Sequence, residues 1–507
     1  MEIGLYHILA IQVVAIAMIY YRVTSMDMAS VTPSQFLPSW IASSNCGLLN
    51  KNEYTLFSQR VVTPDGMVPA AVYVVDGKVR AVVEGAAPPV PDHPVINYGS
   101  LIISPGLVDL HSHLNEPGRA DWEGMYTGSL GAAAGGFTTL VDMPLNSQPT
   151  TCDVPAFQAK LAATAGKMHV DVAFWGGLVQ ENAADPDTLR ALLAAGVLGL
   201  KAFMCPSGMD DFSHANATVL AMGLKVLSEF GSPPLMVHAE QVPDAPPPPP
   251  QGDPRAHATY LATRPRTFEK DAVATLLGVA RAARAAGQRP KVHVAHLSDA
   301  DCLPALDEAK AEGLDLTVET CPHYLAFSAE MVPDGDTRFK CAPPIREREN
   351  QDRLYDALAG GGVDTVGTDH SPAPEGVKEM GSGNFLKAWG GISGLQFGLP
   401  ATWTGARERG MSPDVVARWL SSTPAKIAGL AAKGGIAVGK DADFVVWDPE
   451  ALADTSKASY RHQVKLSPYM DMPLYGRVEA TYVRGQRVFE GGASAPRPCG
   501  SPILRKD

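Results

Sequence analysis

Residues 107–114 read LVDLHSHL. Apolar and polar residues alternate as they do along a strand, and alternate side chains of a strand share one face. Asp109, His111 and His113 therefore point one way, Val108 and Leu110 the other. Two imidazoles at i and i+2 near a strand end can grip one metal ion, although ordinary polar residues at a strand end give the same pattern. Seven further runs of the same kind follow: TTLVDM (138–143), VDVAFW (170–175), VLGLKAF (197–203), LMVHA (235–239), VHVAHL (292–297), DLTVET (315–320) and VDTVGTD (363–369). Between them lie Ala- and Leu-rich stretches of helical composition, such as AVATLLGVARAARAAG (272–287). Eight short strands alternating with helices predict an α/β chain folded as a (β/α)8 barrel, whose functional residues collect at the C-terminal strand ends.

Those ends carry chemistry. Strand four ends near Lys201, strand five in His238, strand six in His296 and strand eight in Asp369, within GTDHSP. With His111 and His113, that places four imidazoles, an acid and an amine on one rim, which scattered structural residues would not choose. Lys201 is the informative oddity. An ammonium beside metal cations is repelled and desolvated, which favours the neutral amine. A neutral amine can add carbon dioxide and become a carbamate, an anionic ligand with two oxygens able to bridge two metals. The plain alternative is a lysine paired with a neighbouring carboxylate.

The chain ends read differently. YTLFSQRVV, AAVYVV and VRAVV, separated by TPDG and DGK turns, return near the C-terminus as DADFVVW, VEATYV and QRVF. Hairpin signals at both ends and none between predict one small β-sandwich built from both termini. The expected order is a signal peptide or membrane anchor (1–25), a linker (26–50), sandwich (51–104), barrel (105–432), then the rest of the sandwich and a tail (433–507). Residues 3–21 are almost wholly apolar and precede Arg22. Such a run directs a chain to the endoplasmic reticulum and secretory pathway, anchored by a membrane tether or lumenal after cleavage near Ser25. Residues 243–254 form a proline-rich loop expected to be extended and exposed.

The formal charge of −12 argues against a nucleic-acid partner. Seven cysteines without a CxxC pair argue against a thiolate zinc site. Cys46 and Cys499 flank the two-ended sandwich. If it joins the termini in an oxidising lumen, they are placed to form a disulfide.

Longer stretches identify a relationship. HSHLNEPGRADWEG, GGFTTLVDMPLNS, GVLGLKAFMCPSGMDDF, VETCPHYLAFSAE and GNFLKAWGGISGLQF resemble allantoinases of the plant type, within the dinuclear branch of the metal-dependent amidohydrolases. The resemblance covers roughly residues 46–500. It implies hydrolysis of the hydantoin ring of allantoin, a small ureide, to allantoate in purine catabolism. It implies two divalent ions, zinc first, with manganese, cobalt or nickel as substitutes. His111, His113 and Asp369 would bind one ion and His238 and His296 the other, with Lys201 as the bridging N6-carboxylysine formed from carbon dioxide. Asp369 would also shuttle the proton. Asn115 stands where dihydroorotases carry an arginine for a substrate carboxylate, and it cannot supply that charge. Asn115, Asn146, Cys341 and Gly390 are the implied substrate contacts. His323 and His370 would stand behind the ligands, and His293 reads as structural because it differs from His296 by an odd number along the strand. Homo-oligomerisation stays open. Two other readings remain: a hydantoinase or dihydropyrimidinase, against which CPSGMDDF lacks the tyrosine those enzymes place there, and a non-catalytic dihydropyrimidinase-like scaffold, which would have lost metal ligands.

Overall fold

A computed structural model describes residues 46–49, 51–85, 93–243 and 250–506. The chain divides into Met1–Asn45 and Cys46–Asp507. The apolar segment 3–21, with its anchor or signal-peptide reading, and the centre of the proline-rich loop lie outside the described residues. Among the described residues no helix is long and apolar enough to cross a membrane.

Nine strands from both chain ends pair into one sheet. From the N-terminal side come β1 (Glu53–Thr63), β2 (Gly66–Val75), β3 (Lys78–Glu84), β4 (Val95–Asn97) and β5 (Ile102–Pro105). The barrel strands are β6 (Leu107–Ser112), β7 (Phe137–Asp142), β8 (Asp171–Phe174) with its continuation β9 (Gly176–Gly177), β10 (Leu200–Phe203), β11 (Leu235–His238), β12 (Lys291–Val294), β13 (Asp315–Thr320) and β14 (Thr365–Val366). The chain then returns to the sheet as β15 (Phe444–Leu452), β16 (Tyr475–Val483), β17 (Gln486–Glu490) and β18 (Ala493–Ser494). The sheet order β18-β17-β16-β15-β5-β1-β2-β3, with β4 beside β1, makes β5 and β15 the seam between the two ends. Tyr54 on β1 and Tyr482 on β16 lie three strands apart, yet their rings are 6.1 Å apart and the Tyr54 hydroxyl donates to the Gly485 carbonyl at 2.7 Å. The sheet therefore curls over a core of residues such as Leu56, Val72, Phe444 and Val446 into the expected sandwich.

The barrel strands are all parallel and form two arcs, β6-β7-β8 and β9 through β14. Contacts between the arcs close the ring. Leu198 N donates to Phe174 O and Gly176 N to Gly199 O on one side; Thr368 N donates to the Asp109 carboxylate and His113 N to His370 O on the other. Each barrel run predicted from the sequence overlaps its strand, although β7 and β12 each begin one residue before their runs, at Phe137 and Lys291. The short β14 ends well before Asp369, and β12 stops two residues before His296, so these two candidates sit on loops just above the ring. The sandwich also clips the chain together: Cys46 and Cys499 form a disulfide, with Cα atoms 5.4 Å apart.

Candidate metal centre

The six rim residues meet. The Nε2 atoms of His111 and His113 each lie 3.3 Å from Asp369 Oδ1. The His296 ring lies 5.1 Å from His111 and 4.5 Å from His238, centroid to centroid. Lys201 is wholly buried, and its Nζ has no hydrogen-bond partner among the described residues. Its Nζ lies 5.3 Å from the centre of the Phe203 ring, which stacks on His238 at 4.3 Å; burial lowers the basicity of His111, His238 and His296, and the Lys201 ammonium lowers each further. Burial also pulls the Lys201 amine down to about 8, against the pull of Asp369 and Glu319. Two of the six sit in a backbone region that favours glycine: His296 has φ +35° and Asp369 φ +43°. Strain of this kind, roughly 1–3 kcal/mol per residue, persists where the surroundings impose it and clusters at functional sites. Above the imidazoles opens a cavity of about 610 Å³, whose lining includes His111, His113, His238, His296 and Asp369.

Comparisons with known proteins decide the family. The model named "Amidohydrolase family" matches residues 272–488, "Allantoinase, composite domain" residues 49–100, and "Dihydro-orotase-like" residues 99–227. A probable allantoinase of Oryza sativa subsp. japonica is 47% identical, the match covering 92% of this chain and 94% of the relative. The allantoinase of Arabidopsis thaliana is 46% identical over 90% and 92%. This chain belongs to the allantoinase family. Among solved structures it is similar to an L-hydantoinase (dihydropyrimidinase) from Arthrobacter aurescens, at a TM-score of 0.80 and 28% identity, covering 90% of this chain and 100% of that one.

The remaining candidates divide. Gly390 lines the cavity, as does Asn146, whose amide nitrogen is 3.1 Å from His113 Nδ1. Asn146 therefore also fixes a rim imidazole. If His113 uses Nε2 toward a metal, its Nδ1 carries the proton, and the amide must present its oxygen instead. Cys341 lies just behind the wall, its carbonyl accepting from the Tyr260 hydroxyl at 2.7 Å. Asn115 (φ +62°) is buried with both amide atoms unpartnered, outside the cavity lining. His323 is buried against Tyr324 with neither ring nitrogen bonded, and burial lowers it to about 4.

His370 turns its ring away from the cavity, beside and behind Asp369. Its Nδ1 accepts from Gly394 N and Leu395 N, which leaves Nε2–H to donate to Glu123 Oε2 at 3.0 Å. Glu123 also accepts from His462 Nδ1 at 3.0 Å. These three groups are close enough to suggest a second metal site. The tautomer that His370 must adopt argues against it, because a ligand nitrogen cannot carry the proton. Burial alone would raise the Glu123 carboxyl; His462 and His370 hold it well below the usual carboxylate range. Gly131 is required here: a Cβ on it would lie 2.3 Å from the His462 ring.

The residues that hold the ligands were not singled out by the sequence. Glu319 Oε1 bonds His111 Nδ1 at 2.7 Å and accepts from His296 N at 3.3 Å. His111 is thereby left with Nε2 for the rim. Gly367 makes room, since a Cβ there would lie 2.3 Å from the Glu319 carboxylate. Glu240 bonds His238 Nε2 at 2.8 Å and is itself clamped by Arg264, which leaves His238 Nδ1 for the centre. Asp109, which shares a face with His111 on paper, accepts four hydrogen bonds: from His111 N, Ser112 Oγ, Thr368 N and Thr368 Oγ1. It ties strand one to the loop carrying Asp369. His293 is structural as expected, but it does not face away from the centre's supports. Its Nδ1 bonds Thr317 Oγ1 and its Nε2 lies 3.5 Å from Glu319. Alternation fails between His293 and His296 because β12 ends between them and the chain turns to positive φ.

Proposed function

We infer that the chain is a hydrolase that opens the hydantoin ring of allantoin to allantoate. The observation that carries this reading is the meeting of four imidazoles, Asp369 and an unpartnered buried lysine beneath a cavity sized for a small ureide, in a member of the allantoinase family. The residues fit a dinuclear metal group. His111 Nε2, His113 Nε2 and Asp369 converge on one point, and His238 and His296 offer a second. An orphaned ammonium, costly in a dry interior, is the group that carboxylation would convert into a bridging anion. We assign Lys201 as that N6-carboxylysine and zinc as the ion. Imidazole and carboxylate ligands accept manganese, cobalt or nickel as well.

Two such ions, when bound, supply Lewis-acid polarisation of a carbonyl and an activated water near neutral pH. The chain's own residues do the rest. Asp369 accepts the proton of the attacking water and returns it to the leaving ring nitrogen, a double task open to a carboxylate within reach of both atoms. Glu319 and Glu240 fix the imidazole tautomers. Asp109 on one side and the Glu123–His370 pair on the other pin the two neighbours of Asp369 and hold its left-handed backbone. The wall carrying Gly390 and Asn146 orients the ring. The Cys46–Cys499 disulfide supports an oxidising compartment, in keeping with residence in the endoplasmic reticulum, lumenal or tethered.

The likeness to hydantoinase structures keeps a second cyclic amide in view. Turnover of allantoin, hydantoin and dihydrouracil by one metal-quantified preparation separates the readings. Allantoin should have the highest kcat/KM; a preference for dihydrouracil or plain hydantoin would overturn the assignment.

A further inference from the structure

One wall of the cavity is organised by two buried lysines that catalysis does not use. Lys378 Nζ donates to three main-chain carbonyls: Gly391 O at 2.8 Å, Trp389 O at 3.0 Å and Lys340 O at 3.1 Å. Lys340 Nζ donates to Ala388 O at 2.5 Å and Leu386 O at 3.4 Å. Among the described residues no carboxylate forms an ion pair with either ammonium. Both are more than nine-tenths buried. The Lys340 ammonium also lies 4.8 Å from the centre of the Tyr260 ring. A buried charge without an ion pair is unusual, because desolvation is costly and an ion pair is the common remedy. Burial accordingly pulls Lys378 down to about 7 and Lys340 to about 8.

What the two ammoniums hold explains the arrangement. The carbonyls belong to residue 340 and residues 386–391, and Lys340, Ala342, Trp389 and Gly390 line the cavity. The two segments touch directly through Gly391 N, which donates to Lys340 O at 2.8 Å. Trp389 N is held by Val377 O at 2.9 Å, next to Lys378 itself. The Lys378 ammonium thus sits at the junction of three loop segments with no regular strand pairing to align them. It turns the carbonyls of Trp389 and Gly391, on either side of Gly390, toward itself. A neutral apolar side chain of the same length would fill the space and leave these carbonyls without that donor.

We propose that Lys378, seconded by Lys340, is a positioning residue for substrate: its ammonium sets the main-chain wall at 340–342 and 386–391 against which the cyclic ureide lies. The proposal rests on the allantoin-hydrolysing reading above. A group that shapes a binding wall equally for ground state and transition state moves KM and leaves kcat alone.

The test compares Lys378→Met and Lys340→Met with wild type in allantoin kinetics and in direct binding of allantoin by calorimetry, with metal content measured on each sample. Both variants should raise KM and the dissociation constant by about tenfold or more, with kcat within about threefold and metal content unchanged. KM and binding within about twofold of wild type in folded, metal-loaded protein would overturn the proposal, as would a fall in kcat alone. Should Lys378→Met fail to fold, Lys340→Met, which spares the three-carbonyl cage, is read by the same criteria. Failure of the wild type to consume allantoin would instead defeat the enzyme reading, and the calorimetric comparison still decides the wall.

Discussion

Two buried lysines at opposite ends of the barrel have opposite fates. Lys433, below the ring where barrel and sandwich meet, touches Asp171 at 2.6 Å, Asp443 at 2.8 Å and Asp441 at 3.0 Å. Burial opposes its charge, but Asp443 and Asp441 outweigh burial and raise its basicity. Lys201, at the rim, has no hydrogen-bond or ion-pair partner among the described residues, only the face of the Phe203 ring 5.3 Å away, and its basicity falls. The same side chain is an electrostatic rivet in one place and a latent nucleophile in the other. The difference lies in the carboxylates: at the bottom they surround the lysine, while at the rim Glu319 is turned to His111 and Asp369 to two imidazoles. The rim therefore forgoes internal pairing that the bottom completes, and the unmet charge marks where a ligand belongs.

Substituting the two lysines should break the comparison most sharply. Lys201→Met should lower kcat/KM for allantoin by about a thousandfold or more, roughly 4 kcal/mol of transition-state stabilisation, and reduce bound metal. Its thermal midpoint in metal-free buffer should stay near or above that of wild type, because an uncompensated charge is removed. Lys433→Met should do the reverse. Asp443 loses its ion-pair partner, while Asp171 keeps Arg484 and Asp441 keeps Lys78, so stability should fall by about 3–5 kcal/mol in denaturant titration, with kcat kept in the fraction that folds. Equal stability losses in the two variants would erase the distinction.

Finer tests address the supports. Glu319→Gln keeps the shape but weakens the hold on His111, and should cost about 10–100-fold in metal affinity or activity, read by metal titration of the stripped protein. Cys46→Ser opens a very long covalent loop and should lower stability by about 2–5 kcal/mol without changing KM. Smallest, Glu123→Gln should reduce kcat by about tenfold with KM little changed, because it loosens only one of the two anchors beside Asp369.

The rim was legible because strand periodicity is local. A two-residue alternation and a count of eight strands are enough to bring His111, His113, Lys201, His238, His296 and Asp369 to one end. The sandwich and the Cys46–Cys499 clip followed from matching hairpin signals at the two termini. What supports the ligands was not legible, since those contacts join positions far apart. Glu319 meets His111 across 208 residues, and Glu123 meets His462 across 339. Glu319 did leave a signal: DLTVET puts an acid on the polar-facing parity of a buried strand, at the same rim. Lys378 gave no signal, as it lies in a loop and bonds only to main-chain carbonyls.

The most direct test of the central claim is allantoin turnover measured on one preparation as loaded, after complete metal removal, and after zinc and bicarbonate are restored. The account predicts turnover with about two ions per chain, none in the stripped protein, and recovery on restoration. Undiminished turnover by protein free of metal would contradict it.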